Sequence, residues 1–303
     1  MAKIKIKLIN LFIIFFLVII FSSVFFVWFI IYTPKNSYSQ EKINFSIRKG
    51  ETVEEISLNL KKQGLIRYSF PFLGYIFLKE KEKEIKAGEY ELSPAMNIIE
   101  IVNKIVSGDR IKKTITIVEG WTIEDIESYF KKNGLLKEGE KINDDLEGYL
   151  FPDTYEILPG EDLNEIIDRI HYNFEKKVES KFKEEIALKN KTLSEIVIMA
   201  SILEKEVKTF EDKKVVSGIL WKRLKMGMLL QVDAFLDTYK TKGLPSKPIC
   251  NPGLESIEAA IFPQEGPYFY YLSAYDGKTI FSKTLKEHNL AIEKYLKNKK
   301  VSN

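Results

Sequence analysis

Leu193-Ser-Glu-Ile-Val-Ile-Met-Ala-Ser-Ile-Leu-Glu204-Lys-Glu-Val207 reads as one amphipathic helix. Thr192 and Glu195 have the spacing of a capping box, which places its start. Leu193, Ile196, Val197, Ala200, Leu203 and Val207 follow the helical period. Glu204 lies four residues after Ala200 and seven after Val197, so it falls on the apolar stripe. A carboxylate there costs several kcal/mol of desolvation unless it is partnered or protonated. Such a residue is more often one half of a structural ion pair than a catalyst, and both readings stay open at this point.

The 303 residues allow one large domain or two modest ones, and 45% hydrophobic with 29% charged residues is a globular composition. One segment departs from it. Leu8 to Tyr32 carries no charge and is nearly all apolar. Roughly 25 residues at about 1.5 Å each can cross a bilayer with some tilt. A cleaved signal peptide would have an apolar core of about 7–15 residues and a small-x-small site, whereas Trp28, Phe29 and Tyr32 stand here. The expected layout is a cytoplasmic tail (1–7), a membrane helix (8–32) and a linker (33–41). Lys3, Lys5 and Lys7 put the N-terminus in the cytoplasm of a plasma-membrane, single-pass protein, with everything after Tyr32 outside.

Those three lysines account for the formal charge of +3 and leave the rest near neutral. A nucleic-acid partner would want a basic excess, so none is expected. Cys250 is the single cysteine, which excludes an intrachain disulfide and is expected to be a packed thiol. The two histidines, His171 and His288, sit in no His-Glu-x-x-His frame, there is no Gly-x-Ser-x-Gly elbow, and no P-loop occurs. Metal, serine and nucleotide chemistry are therefore poorly supported, no metal or cofactor is implied, and His288 reads as a supporting residue rather than a base.

Past the linker, Lys42–Arg48 alternates as a strand, Lys49-Gly50 turns, and Thr52–Leu60 has helical spacing closed by Gly64. A second apolar helix is expected within 68–78, a short strand at Glu89–Leu92, a helix over Asn97–Val106 and a strand over Lys113–Val118. Thr122 reads as the cap of a further helix, echoing the strand–Gly–Glu–Thr unit at Ile47–Thr52. Val215–Lys225 and Glu255–Ile261 read as helices. Tyr268–Ala274 and Lys278–Phe281 read as a hairpin across Asp276-Gly277.

Ile47-Arg-Lys-Gly-Glu-Thr-Val-Glu-Glu-Ile56 resembles the opening of a LysM module, which implies a small βααβ unit and, in that family, glycan binding. Further blocks are Glu147-Gly-Tyr-Leu-Phe-Pro-Asp-Thr-Tyr155, Ala200-Ser-Ile-Leu-Glu-Lys-Glu206, and Met228-Leu-Leu-Gln-Val-Asp233 with Lys242-Gly-Leu-Pro245. Ile249-Cys-Asn-Pro-Gly-Leu-Glu-Ser-Ile-Glu-Ala-Ala260 and Phe281-Ser-Lys-Thr-Leu-Lys-Glu-His-Asn289 follow. Together and in this order they resemble the endolytic murein transglycosylase family, also called YceG-like, over about residues 42 to 295. The resemblance implies an α+β fold with a LysM-like module (42–110) and a catalytic domain (111–303). It also implies a lytic transglycosylase of peptidoglycan that leaves 1,6-anhydro ends, acting near peptidoglycan synthases as a terminator of new strands. The family's acid is taken as the first Glu of the Glu-Lys-Glu phrase, Glu204, working as acid and then as base. Glu147, Tyr149, Gln231, Asp233 and Asn251 are expected to line the glycan cleft, with core packing or helix capping as the alternatives for Tyr149 and Glu147. Glu206 is not taken as a partner of Glu204, because two helical steps turn it about 200° away. The family's usual insert after the Leu-Gln-x-Asp phrase is missing here, since Ala234–Tyr239 runs almost directly into the Gly-Leu-Pro loop. Two other classes remain: a non-catalytic glycan-binding scaffold, and a hydrolytic muramidase.

Overall fold

The computed structural model describes residues 2–297, and their side chains from 11 to 296. The side chains of Lys3, Lys5 and Lys7 lie outside that set. The chain divides into two compact units, residues 1–113 with 156–160, and residues 114–155 with 161–303.

In the first unit, α1 (Ala2–Tyr32) is followed by β1 (Ile43–Ile47), α2 (Val53–Lys62), α3 (Ser69–Leu78), β2 (Gly88–Leu92) and α4 (Ile98–Ser107). Within α1, Leu11–Tyr32 is long and apolar enough to cross a membrane. β1 and β2 pair antiparallel, Phe45 opposite Tyr90. The order from β1 to β2 is β-α-α-β, closed by this pair. Alternation sends Phe45, Ile47, Tyr90 and Leu92 to one face, where Ile56, Leu60, Phe72, Ile76, Ile101 and Ile105 cover them. Reciprocal capping boxes open α2 at Thr52 and α4 at Asn97. Each satisfies backbone amides that a helix start leaves unpaired.

The chain then runs through β3 (Lys113–Thr116), α5 (Ile123–Lys132) and β4 (Thr154–Ile157), with β3 paired to β4. Thr122 caps α5 as expected from its spacing. The strand at Thr154 emerges from a stretch that reads as irregular. The helices α6 (Leu163–Phe174) and α7 (Ser180–Leu188), joined by a π-helical turn, fill a segment for which the sequence suggested no element.

The second unit is organised on α8 (Leu193–Glu206), capped by Thr192 and Glu195. Around it pack α9 (Phe210–Lys225) and α10 (Leu254–Ile261). The hairpin of β5 (Tyr270–Ser273) and β6 (Thr279–Ser282) follows, its Ala274–Lys278 turn containing Asp276-Gly277, and α11 (Leu285–Ile292) packs on it. Every residue of α8 from Ile196 to Leu203 is buried. It is therefore a central helix, covered on both faces rather than lying as an amphipathic surface helix. Ser201 is tolerated inside because its hydroxyl donates to the Ile198 carbonyl and accepts from the Ile249 amide. Cys250 packs beside it with its thiol on the Ser201 carbonyl. Burial pushes that thiol up to about 12, which makes it a packed thiol and not a nucleophile.

Candidate active site

Two carboxylates leave the C-terminal turns of α8 in different directions and meet different surroundings. Glu204 is largely buried, its side chain 10% exposed. Oε1 sits 3.2 Å from Nζ of Lys213 on α9, itself 4% exposed. Oε2 accepts from the Gly253 amide at 2.9 Å and from the Ser256 hydroxyl at 2.6 Å. Gly253 is the N-cap of α10, so this carboxylate also neutralises a helix N-terminus. A Cβ on Gly253 would fall 2.0 Å from Oε1 of Glu119, so a larger residue would require the Glu119 side chain to move. Glu119 closes the far side of the knot. Its own pKa is raised by burial and by the nearby Glu204 charge. The expectation that Glu204 faces the apolar side is met, and the partner that a buried carboxylate requires is Lys213.

Glu206 turns to the other face of α8. Oε1 accepts from the Ala234 amide at 2.8 Å and Oε2 from the Tyr271 hydroxyl at 2.9 Å, so its partners are an amide and a phenol rather than a cation. Burial raises its pKa, the Asp233 charge raises it further, and the two hydrogen bonds offset part of the shift. Glu206 lines a cavity of about 450 Å³ together with Arg223, Gln231, Asp233, Tyr271 and His288. That volume is within the roughly 300–1,000 Å³ usual for ligand sites. The loop after α9 delivers Gln231 and Asp233. Gln231 holds a positive φ of 51°, and its neighbour Val232 is locked by the Thr238 hydroxyl. Asp233 accepts from the Tyr239 hydroxyl at 2.5 Å, and burial with this bond pushes the phenol up to about 12.

The rest of the cavity wall is preorganised. Arg223 is buried and donates to the carbonyls of Phe269 and Leu230, with its guanidinium over the Tyr270 ring. His288 also stacks on Tyr270, the ring centroids 5.3 Å apart. Burial and the Arg223 charge lower its pKa, which keeps the imidazole neutral at pH 7. Its Nδ1 is buried and has no hydrogen-bond partner.

The other expected cleft residues are elsewhere. Asn251 is fully buried, and its side chain is saturated: Oδ1 accepts from the Gly148 and Leu150 amides, Nδ2 donates to the Trp121 carbonyl and Glu147. Glu147 accepts from the Ile123 amide and thereby caps α5, and burial raises its pKa. Tyr149 packs edge-on against Phe174 at the margin of the core. The three hold segments together. Gly148 between them has φ +88°, and a Cβ there would strike Pro248 at 2.5 Å. So of the five residues expected to line the cleft, Gln231 and Asp233 stand with Glu206 on one cavity wall, while Asn251 and Glu147 are bonded to each other and the Asn251 carbonyl accepts from the Gly120 amide beside Glu204. Glu206 had no signal in the sequence beyond membership of the Glu-Lys-Glu block, and Arg223, Tyr239 and Tyr271 lie outside the quoted blocks.

Opposite changes around Glu206 test its environment. Tyr271→Phe removes a donor that favours the carboxylate, so the pKa rises. Asp233→Asn removes a like charge, so it falls. If protonated Glu206 is the active form, activity is present below its pKa and lost above it. The alkaline limb of the pH–rate profile is then expected at higher pH in Tyr271→Phe and at lower pH in Asp233→Asn; shifts of the same sign would be inconsistent with it.

The YceG-like family model matches residues 45–237 and 235–294, its two segments meeting in the turn after Asp233. A Bacillus subtilis (strain 168) protein named endolytic murein transglycosylase is 31% identical over 319 residues, covering 88% of each chain. A Streptococcus pneumoniae serotype 2 protein of the same name is 24% identical; the match covers 88% of this chain and 60% of the relative. A crystal structure of a YceG-like protein from Listeria monocytogenes superposes with a TM-score of 0.52 at 28% identity, covering 83% of this chain and 99% of that one. The α+β architecture, the ordered blocks and these likenesses agree, and the chain belongs to the YceG-like family of endolytic murein transglycosylases.

Proposed function

We propose that this chain is a lytic transglycosylase of peptidoglycan whose acid and base is Glu206. The observation that carries the residue assignment is the contrast between the two carboxylates. Glu204 is neutralised by a buried lysine and a helix N-terminus, whereas Glu206 is desolvated without a cation and faces a cavity. The endolytic murein transglycosylase relatives support the substrate class.

Desolvation raises the pKa of Glu206 and so favours the protonated form that donates to the glycosidic oxygen between N-acetylmuramic acid and N-acetylglucosamine. As the C1–O bond breaks, the Ala234 amide and Tyr271 hydroxyl stabilise the carboxylate that forms. Asp233 places a negative charge beside the positive charge developing at C1. Glu206 then takes the proton of the muramic 6-hydroxyl, whose oxygen closes on C1. The products are a free 4-hydroxyl and a 1,6-anhydro end, and no water is consumed. Gln231 and the neutral His288 are the hydrogen-bonding groups left to orient the sugar.

The βααβ order of residues 42–92 supports reading that part as a LysM-like glycan-holding module. α1 supports a membrane anchor with the remainder extracytoplasmic, where the enzyme would terminate strands as synthases make them. The experiment is direct. The full chain in detergent is incubated with purified peptidoglycan strands, and the products are weighed. Anhydro-ended fragments, lighter by one water, are expected; ordinary reducing ends would establish hydrolysis, and binding without cleavage a scaffold.

A further inference from the structure

α3 is apolar on every side. Ser69-Phe-Pro-Phe-Leu-Gly-Tyr-Ile-Phe-Leu78 carries no charge. Pro71, Phe72 and Ile76 are buried in the core of the first unit. The stripe opposite them, Phe70, Gly74, Phe77 and Leu78, repeats at i, i+4, i+7 and i+8 and is uncovered: Phe70 is 51% exposed, Phe77 49% and Leu78 80%. Tyr68 extends the stripe, with its ring 6.0 Å from that of Phe70. A helix that is hydrophobic all round belongs inside something, and only half of this one is inside protein.

Its position says what covers the other half. α3 packs against α1 within the same unit, and Ile30 and Ile31 at the end of α1 join that unit's core. Arg67, just before α3, donates to the carbonyls of Pro34 and Lys35, just after α1. The uncharged run of α1 is about 37 Å long, against a hydrocarbon layer of about 30 Å. The excess places its last turns at the membrane–water boundary, where Trp28 and Tyr32, rings 5.0 Å apart, are the residues favoured at that depth. α3 packs against α1 in the core that Ile30 and Ile31 join, which puts it about 10 Å from that end of α1.

We infer that the outer stripe of α3, Phe70, Phe77 and Leu78 with Tyr68, is a second membrane contact that dips into the boundary between lipid headgroups and acyl chains. The inference rests on α1 being a membrane span and not on the proposed reaction. The contact is apolar in origin. The run from Lys79 to Lys86 alternates lysine with glutamate, and Lys81 is paired to Glu84, so neutral lipid suffices. Two contacts on one unit fix its orientation against the bilayer surface.

The test uses the full chain in phosphatidylcholine nanodiscs with one nitroxide label, Cys250 remaining buried and unreactive. Labels replace Phe77 (Phe77→Cys), Val18 in mid-span (Val18→Cys) or Leu58, exposed on α2 (Leu58→Cys). Collision with oxygen is compared with collision with an aqueous nickel chelate. The Phe77 label is expected to favour oxygen, as the Val18 label does, while the Leu58 label favours nickel. If Val18 reads lipid and Phe77 reads water, the surface is refuted while the anchor stands. If Val18 also reads water, the anchor fails and the inference falls with it. A Phe77 label shielded from both reagents would mean protein covers the stripe, which also overturns it.

Discussion

Glu206→Gln is expected to cut formation of anhydro-ended product by about 10²–10⁴-fold, the usual contribution of a positioned acid or base, and to leave the fold intact. The amide can be accommodated. Its oxygen accepts from the Ala234 amide, and its NH2 faces the Tyr271 hydroxyl, which rotates to accept. The negative charge that burial disfavours is gone, so no stability is lost on that account. Product is measured by mass spectrometry of digested strands, and folding by the thermal midpoint. A Glu206→Gln protein that still makes anhydro ends at the parent rate would remove Glu206 from the mechanism.

Glu204→Gln is expected to act through stability. It removes the salt-bridge partner of the buried Lys213 ammonium, leaving only the more distant Glu119 charge, and turns an amide NH2 toward the Gly253 amide and Ser256. Breaking one side of a buried pair costs about 3–5 kcal/mol. At roughly 2–4 °C per kcal/mol for a unit of this size, the midpoint falls by on the order of 10 °C. The double variant Glu204→Leu with Lys213→Leu removes both charges and is expected to recover part of that loss, since it no longer buries a lone charge. Differential scanning calorimetry decides it. A Glu204→Gln protein with the parent midpoint and no product would return the acid role to Glu204.

These two residues also show where the sequence is legible. Thr192 with Glu195 and Thr122 with Asp125 appear as caps where their spacing puts them, because capping is local chemistry between residues three apart. The Asp276-Gly277 turn lies within the β5–β6 connection for the same reason. The β-α-α-β order of the first unit follows from alternation and helical spacing in short windows. Asn251 was legible as a member of a block and not as what it is, a side chain whose hydrogen bonds all end on segments about 100 or more residues away. The apolar outer face of α3 was legible as a helix but not as half-uncovered, since that depends on what packs against it.

The sequence by itself determined most of the elements, their order, the family, and that the Glu-Lys-Glu phrase closes α8. Periodicity placed Glu204 on the buried side correctly, because the direction of a side chain on a helix depends only on the helix. Which carboxylate lies against a buried lysine and which lines the cavity was decided by tertiary structure alone. α9 and α10 bring Lys213, Gly253 and Ser256 to one face of α8, and the hairpin and the loop through Asp233 enclose the other. A carboxyl's surroundings are set by the groups packed against it, and here those groups come from 9 to 65 residues further along the chain.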